Sequence, residues 1–192
     1  SGGGSSAISG VVAGVGGIVK SGSSVLTLSG LNNFSGGVNL SNGVLQLGNN
    51  NAFGTGAVRV SGGRISSDSS AARLSLNTMA LSGTVTLGDA VNSGLLTFSG
   101  AASLAGTVTL AADSPVTFSG VVSGPSGIVK TGLSELTLSG ANAFTGAASV
   151  EVGTLTLAGG AALLKTTPVT VGTSATLKIA AAQQISSVNG AG

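Results

Sequence analysis

Twelve charged side chains are all this 192-residue chain offers for acid, base or metal chemistry: five carboxylates, four lysines and three arginines. There is no His and no Cys, which removes Ser–His–Asp triads, thiol nucleophiles, disulfides and thiolate metal sites from consideration. A Ser–Lys dyad is formally open, but no motif singles out a pair. The carboxylates Asp68, Asp89, Asp113, Glu135 and Glu151 are scattered, whereas glycoside chemistry needs two held across one bond. Asp89 and Asp113 lie about one structural repeat apart and could meet at a turn. A calcium site there would need six to eight oxygens, so the two aspartates read as solvated turn residues. The chain is expected to hold no metal or cofactor and not to be an enzyme.

Composition narrows the class further. Charged residues make up 6% of the chain, against about 25% in ordinary domains. Disorder requires low hydrophobicity and high net charge, yet mean hydropathy is +0.56 and net charge +2, so the chain should fold. The pI near 9.5 rests on dispersed basic residues without stacking aromatics, which argues against nucleic acid. No apolar run reaches the ~18 residues of a membrane helix.

The elements that must carry these residues are short strands. Val25–Leu28, Leu45–Leu47, Val58–Val60, Thr84–Leu87, Leu95–Phe98, Thr107–Leu110, Leu136–Leu138, Leu155–Leu157 and Leu177–Ile179 each alternate large apolar with small polar residues. They are bounded by Gly, Asn or Ser, the punctuation of half-buried strands. Only residues 180–185, AAAQQI, suggest a short helical cap.

These strands recur. Residues 8–48 align without a gap on residues 118–158, and GTVTL at 83–87 returns at 106–110. Self-similarity at a fixed period marks stacked units, here with a coil of about 20–23 residues. A sandwich has no need of that period, and a transmembrane barrel carries aromatic girdles that a chain with 5 Phe and no Trp or Tyr cannot build. The reading is an all-β, right-handed parallel β-helix, a single domain over residues 1–192 with about eight or nine coils. At about 4.8 Å per coil the rod would be on the order of 40 Å long.

The long repeat resembles the autotransporter-associated β-strand repeat, also called the passenger-associated transport repeat. Its pattern is met at Lys20, Gly22, Leu26, Leu28, Gly30, Asn32, Phe34, Gly36, Gly43, Leu45 and Leu47. The second copy meets it at Lys130, Gly132, Leu136, Leu138, Gly140, Asn142, Phe144, Gly146, Gly153, Leu155 and Leu157. Departures are Ser24 and Ser134 where the pattern has Gly, and Ala147 opposite Gly37. The resemblance implies the passenger of a type V secreted bacterial surface protein, located extracellularly or on the cell surface, which crosses the outer membrane unfolded.

Within the repeat, Asn32 and Asn142 are expected to serve left-handed turns and bond neighbouring backbone, rather than to bind a ligand. Phe34 and Phe144 are expected to face the core. Lys20 and Lys130 are expected to project from one common face and keep it soluble. The functional expectation is a rigid stalk or scaffold of an adhesin. The alternatives are a self-assembling subunit of a fibre or surface layer, and an adhesin surface for a glycan or host protein.

Overall fold

Short runs of alternating residues cannot bury a face alone, and here each run does so by lying on its counterpart from the preceding turn. The computed structural model describes residues 4–190; residues 1–3 and 191–192 lie outside that description. The described residues form a parallel β-solenoid of about nine turns without helices. The strand pairings within it are parallel, and paired residues stand roughly one coil apart: Val25 on Val44, Val44 on Arg64, Leu87 on Ala112.

Three ladders make the faces. The first runs through Ile18–Lys20, Val38–Leu40 and Val58–Val60, the opening residues of Met79–Leu87 and Ala102–Ala112, then Val122–Gly124 and Ala143–Phe144. The second starts at Ser5–Ile8 and passes Val25–Leu28, Val44–Leu47 and Arg64–Ser67. It continues through Ile128–Thr131 to Ser187–Gly190. The third runs from Arg73–Ser75 through Leu96–Phe98, Val116–Phe118 and Glu135–Leu138 into the last residues of Ala148–Leu157 and Pro168–Ile179.

Parity along each strand sorts side chains between core and surface. On the third ladder Leu96, Val116, Leu136 and Leu155 stack directly inside, as do Phe98, Phe118, Leu138 and Leu157, all essentially inaccessible. The Phe98 and Phe118 rings stack with centroids 5.1 Å apart. Thr97, Thr117, Thr137 and Thr156 take the opposite parity between them. The five Phe of the chain are all buried, so the exterior has no aromatic ring.

Corners between faces bring backbone onto backbone. At Gly140 an added Cβ would stand 2.3 Å from the Gly120 carbonyl oxygen, inside any permitted contact. At Gly132 the backbone has φ of 77° and the Ala112 oxygen would be 2.3 Å away, so glycine is required twice over.

The helical cap expected at residues 180–185 does not form. The segment is the last corner crossing of the coil, and its polar groups bond the turn beneath. Ala180 donates to the Leu157 carbonyl at 2.9 Å, and Ser186 donates to that of Thr167 at 3.4 Å. The Gln183 amide accepts from Leu163 N–H at 3.3 Å and donates to the Gly159 carbonyl. Six residues are too few to nucleate a helix against such partners.

Replacing Leu136 by Ala should destabilise the fold by about 2–5 kcal/mol, because a fully enclosed stack cannot collapse around the void. Urea denaturation followed by circular dichroism measures it; a loss within about 0.5 kcal/mol, as for an exposed position, would contradict the stacked core.

Candidate functional site

The polar residues of the long repeat are the natural candidates, and most of them lie inside the column. Lys20 and Lys130 share strand parity with Ile18 and Ile128, so their side chains turn inward. Lys20 is 4% and Lys130 0% exposed. This corrects the expectation of a solvated lysine face. The Lys130 ammonium donates to the carbonyls of Thr131 and Gly132, each at 2.7 Å, and to that of Val152 at 3.1 Å. Lys20 repeats the arrangement on Ser21 at 3.2 Å, Gly22 at 2.7 Å and Asn42 at 3.3 Å. Each lysine therefore ties the corner that follows it to the corner one coil further on. Three carbonyl acceptors offset part of the cost of burying the cation.

Nor do the two lysines share a face. Lys20 belongs to the first ladder and Lys130 to the second. Five turns carry the register of Ile18 through Val38, Val58, Met79 and Ala102 to Val122, and the Ile-Val-Lys strand of the second repeat comes beyond that point, at Ile128. The same sequence is thus laid down one face further round the column.

Asn32 and Asn142 are 1% and 3% exposed. Their side chains stitch three successive coils. The Asn142 Oδ1 accepts from Val122 N–H, and its Nδ2 donates to the Ala162 carbonyl, both at 2.8 Å. Asn32 does the same between Val12 and Ala52, again at 2.8 Å. The expected left-handed conformation is absent: among the described residues every positive φ belongs to Gly. The side-chain amide, rather than backbone freedom, is what these positions use. Phe34 and Phe144, two residues further on, are each 1% exposed. Beside them no part of the Asn or Phe side chains is available to a ligand. Of the repeat leucines, Leu28, Leu45, Leu47, Leu136, Leu138, Leu155 and Leu157 are buried, and Leu26 is partly buried near the start of the column. At Gly30, Gly36 and Gly146 an added Cβ would fall within 2.5 Å of backbone on a neighbouring coil.

The carboxylates are dispersed among separate partners. Asp113 pairs with Arg64 at 2.8 Å and Asp68 with Arg73 at 2.5 Å. Glu135 stands 3.9 Å from Lys178 and accepts from the Thr156 hydroxyl. Asp89 accepts from the amides of Val91 at 2.7 Å and Asn92 at 3.2 Å within its own turn. Asp89 and Asp113 are thus engaged with different groups, and among the described residues no three metal-ligating side chains cluster.

Burial pushes the Lys130 ammonium down from the usual lysine value to about 8, with the Asp113 carboxylate partly opposing. The arrangement supplies mechanical linkage between coils, with each polar group satisfied vertically.

A scan of family models places the passenger-associated-transport-repeat on residues 18–47 and 128–161, the two segments whose lysines and asparagines are described above. No curated protein and no solved structure matches the chain.

Asn142→Ala should cost about 2–5 kcal/mol, since it leaves Val122 N–H and the Ala162 carbonyl buried without partners. Asn32→Ala should cost less, because Val12 is only partly buried. Equal small losses in chemical denaturation would refute the stitching role. A pH series tests Lys130 separately. Between about 8 and the ordinary lysine range the unfolded chain keeps a proton that the folded chain has released. Stability should therefore rise with pH through that window, and the rise should vanish in Lys130→Met.

Proposed function

Taking the chain as an autotransporter-passenger repeat protein, with two passenger-associated transport repeats wound into one parallel β-solenoid, we propose that it serves as a rigid, non-enzymatic spacer. In this reading it is a length of stalk in a passenger exposed at the cell surface or secreted. It holds whatever adhesive part the passenger carries away from the membrane.

One observation carries the reading: the chemically capable side chains are used to bind coil to coil. Lys20, Lys130, Asn32 and Asn142 face the interior, and their partners include backbone groups of adjacent turns. Two of the three arginines are tied to aspartates and to backbone carbonyls. A catalytic surface would present such groups to solvent around a cleft. A rigid rod hides them where they stiffen it. The absence of Cys agrees with passage of an unfolded chain through a narrow pore, because a bridged loop would obstruct threading.

Removing whole coils tests the spacer directly. Residue 148 takes the ladder position of residue 108 two turns later, by way of Ile128, so deletion of residues 108–147 keeps register. The shortened protein should remain β-rich, and its maximum dimension by small-angle scattering should fall by about 10 Å. Unfolding, or an unchanged length, would count against a modular rod. Particles that lengthen with protein concentration would favour the fibre-forming alternative instead.

A further inference from the structure

The outer surface of the first ladder holds a cation that the framework does not use. Arg64 is engaged by Asp113 and the Gly88 carbonyl, and Arg73 by Asp68 and the Leu47 carbonyl. Arg59 differs from both. It projects outward between buried Val58 and Val60 and is exposed, and among the described residues it has no ion-pair partner. Its register neighbours are Asn39 one coil before and Ala80 one coil after, with Ser103 beyond. Because Ala80 and Ser103 are small, the face sinks on that side of the guanidinium. Two adjoining depressions of about 440 Å³ and 260 Å³ share Arg59, and it is the only charged side chain lining either. Around it stand the Asn39 amide and the hydroxyls of Ser61 and Ser82, with exposed Val19 and the small Ala80 adding apolar lining on either side.

We propose that this trough binds a carboxylate-bearing saccharide lying along the solenoid axis, with Arg59 clamping the carboxylate. A guanidinium offers two parallel donors that match a carboxylate fork. The amide and hydroxyls nearby both donate and accept, as sugar hydroxyls require, and Val19 and Ala80 suit the C–H face of a ring. No acidic side chain lines the trough to repel the ligand. A lone cation among neutral polar groups fits a sugar acid better than an acidic peptide, whose several charges would need several cations. The site is independent of the spacer reading: a rod can carry a saccharide along its flank, and a failure of one leaves the other standing.

Titration calorimetry of the full 192-residue chain with xylotetraose carrying a single glucuronate tests the proposal, alongside neutral xylotetraose, a sulfated dextran fragment and a glutamate-rich peptide. The uronate should bind and the neutral sugar should not, and added salt should weaken the binding. Arg59→Gln should lower affinity by about tenfold or more. Arg59→Lys should fall between the two, since it keeps the charge and loses the fork. Lys165→Gln, which removes the same charge from another exposed position, should leave binding unchanged. Circular dichroism confirms that each variant is folded. Equal binding by Arg59→Gln, an equal loss in Lys165→Gln, no binding of the uronate, or preference for the sulfated sugar or the peptide would each overturn it.

Discussion

Parallel strands from successive coils lie about 4.8 Å apart, so no side chain in this column can be placed without regard to the one beneath it. That vertical constraint sets the rest of the structure. Apolar residues satisfy it by stacking like on like, as Leu136 does between Val116 and Leu155. Polar residues can enter the interior only if their partners lie in the coil above or below. The Asn142 amide satisfies a donor in one neighbouring coil and an acceptor in the other. Lys130 reaches the corner one coil further on through the Val152 carbonyl. Corners obey the same rule with backbone in place of side chains, which is why glycine stands where Gly120 and Gly140 cross.

The constraint is local, and this explains how one motif can occupy two orientations. Each repeat specifies strand, corner, strand, and an Asn–Phe segment, together with the contacts these make one coil away. Nothing in that set refers to an absolute direction around the column. The second copy therefore folds equally well with its Ile-Val-Lys strand on the second ladder, although the first copy's lies on the first ladder. Spacing between copies, accumulated through the intervening coils, decides which face each motif meets. A functional group carried outward at one position of the repeat would then be displayed on different faces by successive copies.

The strand pattern was legible because alternation and coil length both derive from the same pairing. Leu, Val and Phe positions follow directly from parity. The inward placement of Lys20 and Lys130 has a signal in the sequence: in Ile-Val-Lys the lysine has the parity of the inward-facing isoleucine. Charge obscures that signal because a buried ammonium is costly unless carbonyls surround it, and a corner's carbonyl cluster is not visible in a linear sequence. The Arg64–Asp113 pair was hidden for a related reason, since its members lie 49 residues apart and meet only after two turns are stacked. The tail at residues 180–185 suggested a helix because alanine and glutamine favour one in isolation. Partners in the turn beneath outweighed that preference. Arg59 had no distinguishing signal at all; it stands out only once the other arginines are seen to be occupied.

A chain so poor in charge ought to aggregate by the usual reasoning, since charged residues are what natural sheets place at exposed edges. The solenoid changes where edges occur. Along its flanks most strands have a neighbour on both sides, as Leu96–Phe98 has in Arg73–Ser75 and Val116–Phe118, and their backbone donors and acceptors are taken up within the ladder. The outer residues, relieved of guarding an edge, can be Ser, Thr and Ala, as in the column formed by Thr97, Thr117 and Thr137. Such a surface is flat and nearly featureless. Against it the Arg59 guanidinium stands out by its setting: among the described residues it has no ion-pair partner, and it is the only charged side chain lining its depression.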